Sequence, residues 1–339
     1  MRIYSYIIFF IFLICANTSF SGENEILFQF KLKENKQQQA KSSAFFRNTG
    51  LQLTLSDKKN TSINYSYKKS GSVKSQKKYK VNPVKLTILG ALGAGVFTAM
   101  HIYYSNTWWK EKRNYFKFAE DGYYARNMDK ASHIFTANFF TVATAVAYEW
   151  TGIRPEKALL YGAITSMAYE TYIEINDGFA PNWGFDWVDM GANIFGAVYP
   201  FLQRAAPPLE NINFKWSFNP KWLGKKVSNS EDDLLDDYTK MTFWLSVNPE
   251  IVFPGSVTKA KLYPNFLAIA LGMSIKNASH DFGSQNAYTE WFLALDIDIR
   301  KLPGKSDFLV KLKKILNFYH LPMPAVRFAP SGVWYGLYF

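Results

Sequence analysis

Apolar positions recur with two different periods along this chain, and the change falls at Pro207-Pro208. From Pro83 up to that point, apolar residues occupy nearly every face of long segments, as in helices that are buried or face lipid. Beyond it, apolar and polar residues alternate, the pattern of half-buried strands. Pro83 opens a predicted helix to about Asn106, whose stretch Leu86 to Met100 carries no charge and contains Gly90, Gly93 and Gly95. Small residues at such spacing let backbones approach closely, and the apolar run is near the minimum of about 20 residues that crosses a bilayer. Trp108-Trp109-Lys110 follows, an aromatic group typical of an interface or a domain edge. Asp129 starts a second helix to about Trp150; Gly152 and Pro155 break it, and a third runs from Pro155 to about Ile175. Asp177-Gly178 makes a turn, and Asp186 caps a fourth helix, Trp187 to Gln203.

Downstream, alternation predicts strands at 212–218, 243–247, 266–275 and 291–300, with one amphipathic helix over 308–318 ended by Pro322 and Pro324. The chain closes on Val333-Trp-Tyr-Gly-Leu-Tyr-Phe339, with Val333, Tyr335, Leu337 and Phe339 expected on one face. Such an ending resembles the closing strand of an outer-membrane barrel, and equally suits a small soluble sheet. The fold class is therefore α+β: a bundle of about four apolar helices followed by an antiparallel β-rich region.

The N-terminus changes the expected location. Arg2, the apolar run Ile7 to Ile14 and the small residues around Ser21 read as a secretory leader over 1–21. The single cysteine, Cys15, lies inside it, and Ile14 before it disfavours a lipoprotein signal. Cleavage after Ser21 leaves no thiol for disulfides or metal. Residues 22–82 form a polar basic arm, with alternation at 26–33, 51–55 and 63–67 allowing a hairpin. Much of the net charge of +12 sits in 31–80, where 13 Lys and Arg face only Glu34 and Asp57. These lysines lie among Ser, Asn and Gln, as in a solvated arm that can meet an anionic surface, rather than on a folded base-reading surface, so nucleic acid is not the expected partner. The domain order expected is leader 1–21, arm 22–82, helical bundle 83–208, and β-rich region 209–339 with one helix near 306–318.

Polar groups inside the apolar helices supply the candidate chemistry. Asp129 and His133 are four apart, as are Asp189 and Asn193; Glu170, Glu174 and Asp177 fall at i, i+4 and i+7. Charges in such surroundings are costly unless paired. One reading is a structural network, with Lys130 neutralising a carboxylate and His133 donating to Asp189 or Glu174. The other is a site: His133, Glu174, Asp177 and Asp189 as ligands of a divalent ion, or these with Asp129, Lys130 and Asn193 as an acid/base constellation. No His-Glu-x-x-His, Gly-x-Ser-x-Gly or Cys/His nucleophile pattern is present, and the cofactor stays open. His101, His280 and His320 stand alone and read as structural or exposed.

The run Asp129-Lys130-x-x-His133, then Ile173-Glu174-x-x-Asp177-Gly178-Phe179, Trp183-Gly184-Phe185 and Asp189-x-x-x-Asn193-x-x-Gly196 resembles the YfiM-type family of predicted periplasmic lipoproteins, whose function is uncharacterised. The resemblance to its long form, with a β-rich C-terminal region, extends roughly from Pro83 to Phe339. The same order of motifs is distantly similar to VanZ-like membrane proteins. Asp186 stands where the family usually has Ser, and Glu170 where an amide is usual, so this chain carries extra negative charge. The resemblance implies the cell envelope, in the periplasm or at the outer membrane. Two functions remain open: a structural or interaction protein contacting membrane lipid or an outer-membrane protein, or a membrane-proximal metal-dependent or acid/base hydrolase acting on a lipid or cell-wall component.

Overall fold

A computed structural model describes residues 79–119, 124–218, 238–251, 263–277 and 287–339, all within one unit spanning Lys77–Phe339. The leader, the expected arm strands, the charged arm up to residue 78 and His280 lie outside the described residues.

The fold is α+β, with five α-helices among the described residues and a six-stranded antiparallel sheet. Helix α1 spans Pro83–Asn106; Asn82 caps it by accepting from the Lys85 amide, and proline fixes its first turn. Helix α2 spans Met128–Trp150, α3 spans Pro155–Asp177 and α4 spans Trp187–Ala205. Before α2, Ala125, Arg126 and Asn127 all have positive φ, at 45°, 52° and 69°. Left-handed backbone costs non-glycine residues roughly 1–2 kcal/mol each, least for Asn. This tight entry buries Met128 and Asp129 at once.

Helix α2 is the central element, packed on both α3 and α4. Two glycines allow this approach: a Cβ on Gly162 would lie 2.4 Å from the Thr141 carbonyl, and one on Gly196 would lie 2.3 Å from the Ile134 carbonyl. The C-terminal half of α1 touches α3 through side chains, with Tyr104 bonded to Tyr169 at 3.0 Å and Phe97 against Tyr172. A short parallel pair, β1 (Phe118–Ala119) with β2 (Phe185–Asp186), ties the segment before α2 to the start of α4.

The sheet is a meander of β3 (Ile212–Phe218), β4 (Met241–Val247), β5 (Leu267–Lys276), β6 (Tyr288–Ile297), β7 (Met323–Ala329) and β8 (Val333–Tyr338). Helix α5, Asp307–Leu316, precedes β7, and the turn after it pairs with β3, Tyr319 bridging Trp216 in parallel. Phe135 of α2 packs on Trp216, Phe243 and Phe318, and Phe195 and Tyr199 of α4 pack on Phe214. The helices thus cover the β3–β4 corner of the sheet.

Two expectations are corrected. Pro322 and Pro324 do not simply end a helix; Pro324 lies in β7, where a register irregularity between Met323 and Ala325 accommodates it. That irregularity also breaks the alternation of the last strand: Tyr335 and Tyr338 meet at 5.1 Å on one side, while Leu337 is exposed.

Gly196→Leu is expected to destabilise the fold by about 1–3 kcal/mol and so to lower its unfolding midpoint. Gly191→Ala, with open space at its Cβ position, is expected to change stability by no more than about 0.5 kcal/mol; equal midpoints for the two variants would refute the close helix approach.

Candidate functional site

Three helix ends meet at one end of the bundle: the N-termini of α2 and α4 and the last turns of α3. Asp129 and Asp189 lie in first turns, and Asp186 caps α4 by accepting from the Val188 amide at 2.7 Å. Carboxylates are favoured there by the helix dipole. Glu174 lies near the C-terminal end of α3, where the same dipole disfavours a negative charge.

The ammonium of Lys130 lies at the centre. Its Nζ is 2.9 Å from Asp129 Oδ2, 3.1 Å from Asp186 Oδ2 and 2.9 Å from Asp189 Oδ1, and all four side chains are buried. His133 stands beside this cage, its Nε2 3.5 Å from Asp129 Oδ1 and 3.8 Å from Asp189 Oδ1. Its Nδ1 is 3.1 Å from Asn193 Oδ1 and 3.9 Å from Glu174 Oε1. Glu174 Oε2 accepts from the Asp186 amide at 3.3 Å, joining α3 to α4. Tyr238, just before β4, donates to Asp129 Oδ1 at 2.8 Å and so joins the cage to the sheet.

The sequence-derived residues therefore converge, with one exception. Asp177 continues the stripe of Glu170 and Glu174, but its Oδ1 accepts from Trp109 Nε1 at 2.6 Å, which holds it toward the end of α1. His133 comes closest to Asn193 and Asp129, rather than to the Asp189 and Glu174 carboxylates expected for it. Asp186, expected only as a cap, is a full member of the cage. Tyr238 was not among the candidate site residues; it joins through tertiary contact. Among the lone histidines, His101 is exposed and bonded to the Tyr172 hydroxyl, and His320 is buried and stacked on Trp244 at 4.0 Å.

Five buried carboxyl groups, Asp129, Glu170, Glu174, Asp186 and Asp189, face two cationic side chains. Burial opposes every charge here, and pairing decides which survives. Asp129 stays ionised, held well below the usual carboxylate range because His133 and Lys130 outweigh its burial. Burial opposes the charges on Lys130 and His133 too, but the neighbouring carboxylates hold both well above their ordinary values. Burial pushes Glu170 up to about 7, with His133 offsetting part of the effect, and pushes Glu174 up to about 8. Asp189 is raised by burial and by the neighbouring Asp129 charge. The cage thus takes up protons where cations run short.

Ligand atoms of Asp129, His133 and Asp189 lie within 4.8 Å of one another, a spacing that could hold a metal ion. Glu170 Oε1 and Asn193 Nδ2 are buried without a hydrogen-bond partner.

Residues 117–205 match a family described as predicted periplasmic lipoprotein (DUF2279). The match covers β1, α2, α3 and α4, the segment that carries the cage apart from Tyr238, and leaves α1 and the sheet outside. It supports a place in the cell envelope. No curated protein and no solved structure matches the chain.

Lys130→Met leaves three buried carboxyls without their cation and is expected to destabilise the fold by about 3–5 kcal/mol near neutral pH, the usual cost of removing one partner of a buried pair. A urea midpoint unchanged from the parent would refute the cage.

The pH dependence follows from the proton balance. Glu170 and Glu174 keep protons in the folded state that the unfolded chain, with its ordinary value of 4.5, has released. Stability then falls as pH rises from about 4.5 to about 8, and raised His133 acts in the same direction above 6.5. Asp129 works oppositely, contributing stability above its unfolded value of 3.8 that is lost as pH falls. The urea midpoint is expected to peak near about pH 4 and to decline toward pH 8. Glu174→Gln should flatten that decline, and a parent profile rising toward pH 8 would contradict the assignment.

Proposed function

We propose that this protein is an exported, membrane-anchored structural or interaction protein of the cell envelope, held at the membrane by α1. The observation that carries this reading is the surface of α1. It is long and apolar enough to cross a bilayer, and its most apolar 18-residue window contains no buried residue. Val84, Ile88, Leu92, Val96 and Ile102 all face outward. At about 1.5 Å per residue, its 24 residues measure roughly 36 Å, enough for a hydrocarbon layer of about 30 Å.

Both ends of α1 carry the aromatic and basic residues that favour a membrane–water boundary. Lys85 lies over the Trp150 ring at 4.9 Å, and Trp108 stacks on Tyr104 at 4.4 Å just before Lys110 and Lys112. The polar cage is then an internal lock: it fixes how the helices meet, and its own lysine fills the space among the carboxylates. The match to a family described as periplasmic, together with the leader expected over 1–21, supports export.

A second reading treats the cage as a divalent-ion or acid/base site for hydrolysis of a lipid or cell-wall component. It is favoured by the spacing of Asp129, His133 and Asp189 and by the unpartnered Glu170 Oε1. Lys130 already occupies the centre of the carboxylates, so the structural reading stands first. Stoichiometric metal in the purified protein, lost in His133→Ala, would reverse that order.

Leu92→Arg places a charge at the middle of α1, at a cost of about 2.5–3.5 kcal/mol in a bilayer. The parent is expected to stay with membranes through alkaline carbonate extraction, and Leu92→Arg to be released in part. Full release of the parent would overturn the anchor.

A further inference from the structure

The sheet encloses the face that carries its polar residues, together with a core of Trp244, Phe292, Ala270, Ala294 and Ala325. On β3, Asn213, Lys215 and Ser217 are buried, whereas the apolar residues between them are less so. On β5 and β6 the small or polar residues Ala268, Ala270, Ser274, Ala294 and Asp296 are buried. The opposite face is a continuous apolar row: Phe214 pairs with Leu245, Leu245 with Leu271, Leu271 with Leu293, Leu293 with Val326 and Val326 with Trp334.

The inner face is enclosed because the sheet curls on itself. Lys215 on β3 and Asp296 on β6 have two strands between them, and strands are spaced about 4.8 Å apart, so a flat sheet would hold their backbones roughly 14 Å apart. Instead Lys215 Nζ is 2.6 Å from Asp296 Oδ2, and both side chains are fully buried. Ser246 also donates to Asp296, and Tyr338 of β8 reaches Thr242 of β4 at 3.3 Å. With Trp244 and Phe292 packed beside the buried ion pair, the sheet is apolar on both faces, whereas a soluble antiparallel sheet turns polar residues to water on one of them.

The helices cover this apolar exterior only at one corner, over β3, β4 and the end of β5, where Met273 and Ile275 pack with Met128 and Phe135. Beyond it Ile269, Leu271, Leu293, Leu295, Val326 and Trp334 are between 37% and 67% exposed. The two longest strands, β5 and β6, have ten residues each, within the 9–11 or so that a tilted strand needs to cross the hydrocarbon. The surface continues onto the bundle, where exposed Phe195 of α4 meets Phe214 of the same row.

We infer that the outer face of β5–β8 is a second membrane-contacting surface, occupied by lipid acyl chains around a curled sheet whose inner face is filled by its own aromatic core and the Lys215–Asp296 pair. This rests on the membrane-anchored reading above and adds a lipid contact that the anchor alone does not require. Acyl chains are the occupant because the face is apolar along whole strands and continuous across four of them, with its charges turned inward.

The test uses the full chain with Cys15→Ser, which removes its single cysteine. Leu293→Cys, Val326→Cys and, on α1, Leu92→Cys are each labelled with a polarity-sensitive fluorophore and reconstituted in phosphatidylethanolamine–phosphatidylglycerol vesicles. Labels at 293 and 326 are expected to be quenched several-fold more by nitroxide-bearing lipid than by aqueous iodide. Quenching by iodide at both, with 92 still lipid-quenched, overturns the sheet surface and leaves the anchor standing. Protection from both quenchers means that protein covers the face, from residues 1–78 or a second copy, and also overturns it. Iodide quenching at 92 defeats the anchor whatever the sheet labels report. Far-UV circular dichroism identifies any variant that misfolds, and the two sheet positions serve as replicates for each other.

Discussion

The ammonium of Lys130 is the interaction on which the arrangement of the bundle depends. Its partners come from α2 itself, from the β2 turn and from α4, so one cation sets the register between the two helices. Through the Asp186 amide it reaches Glu174 on α3, and through Asp129 it reaches Tyr238 at the edge of the sheet. Removing the cation would leave several carboxyls facing each other in a medium that screens poorly. The neighbouring carboxyls that Lys130 and His133 cannot neutralise are instead raised by burial and held toward their protonated forms. The same groups would repel one another if each kept its ordinary ionisation.

That electrostatic demand is compatible with close packing only because α2 meets its neighbours at glycines. Gly162 and Gly196 bring the backbones of α3 and α4 against α2, which places their polar ends within hydrogen-bond range. Phe135, farther along α2, then carries the bundle onto the sheet. Helix α2 therefore serves two surfaces, the cage near its start and the aromatic contact about one turn on, and the helical layer can reach only one corner of the sheet.

Much of this was legible in the sequence where the signal is local. The first helix has its predicted bounds because Asn82-Pro83 starts it and its interior contains no breaker. The i, i+4 pairs on α2 and α4 do share a site, since helical spacing fixes their face. Asp177 shows the limit of that argument: its spacing is right, but Trp109, 68 residues away, takes its carboxylate. Tyr238 and Asp186 entered the cage through contacts that no local spacing encodes. Strand β7 was hidden by Pro324, a residue that normally argues against a strand. Most instructive is β3. Its alternation announced two faces, but a period of two is symmetric and does not say which face is inside. Lys215 had the pattern of a solvent-facing residue and is fully buried against Asp296.

Bundle and sheet obey one rule about where charge resides. In each, buried carboxyl groups are gathered round a lysine, Lys130 in one and Lys215 in the other, while many apolar side chains line the outside. Burying a Leu, Ile or Val side chain is worth about 1.5–3 kcal/mol, so Ile269, Leu271, Leu293, Leu295 and Val326, left near half exposed in water, forgo several kcal/mol. That is comparable with the whole net stability of a domain, about 5–15 kcal/mol. Burying ion pairs adds a desolvation cost on top. In water those exposed rows are a net loss, with Trp244 and Phe292 already filling the other face. Against acyl chains the balance reverses, because the apolar rows lose nothing and an outward lysine or aspartate would cost more than a paired one inside. On the membrane-anchored reading proposed above, the exposed row of the sheet and the uncovered flank of α1 answer to the same solvent.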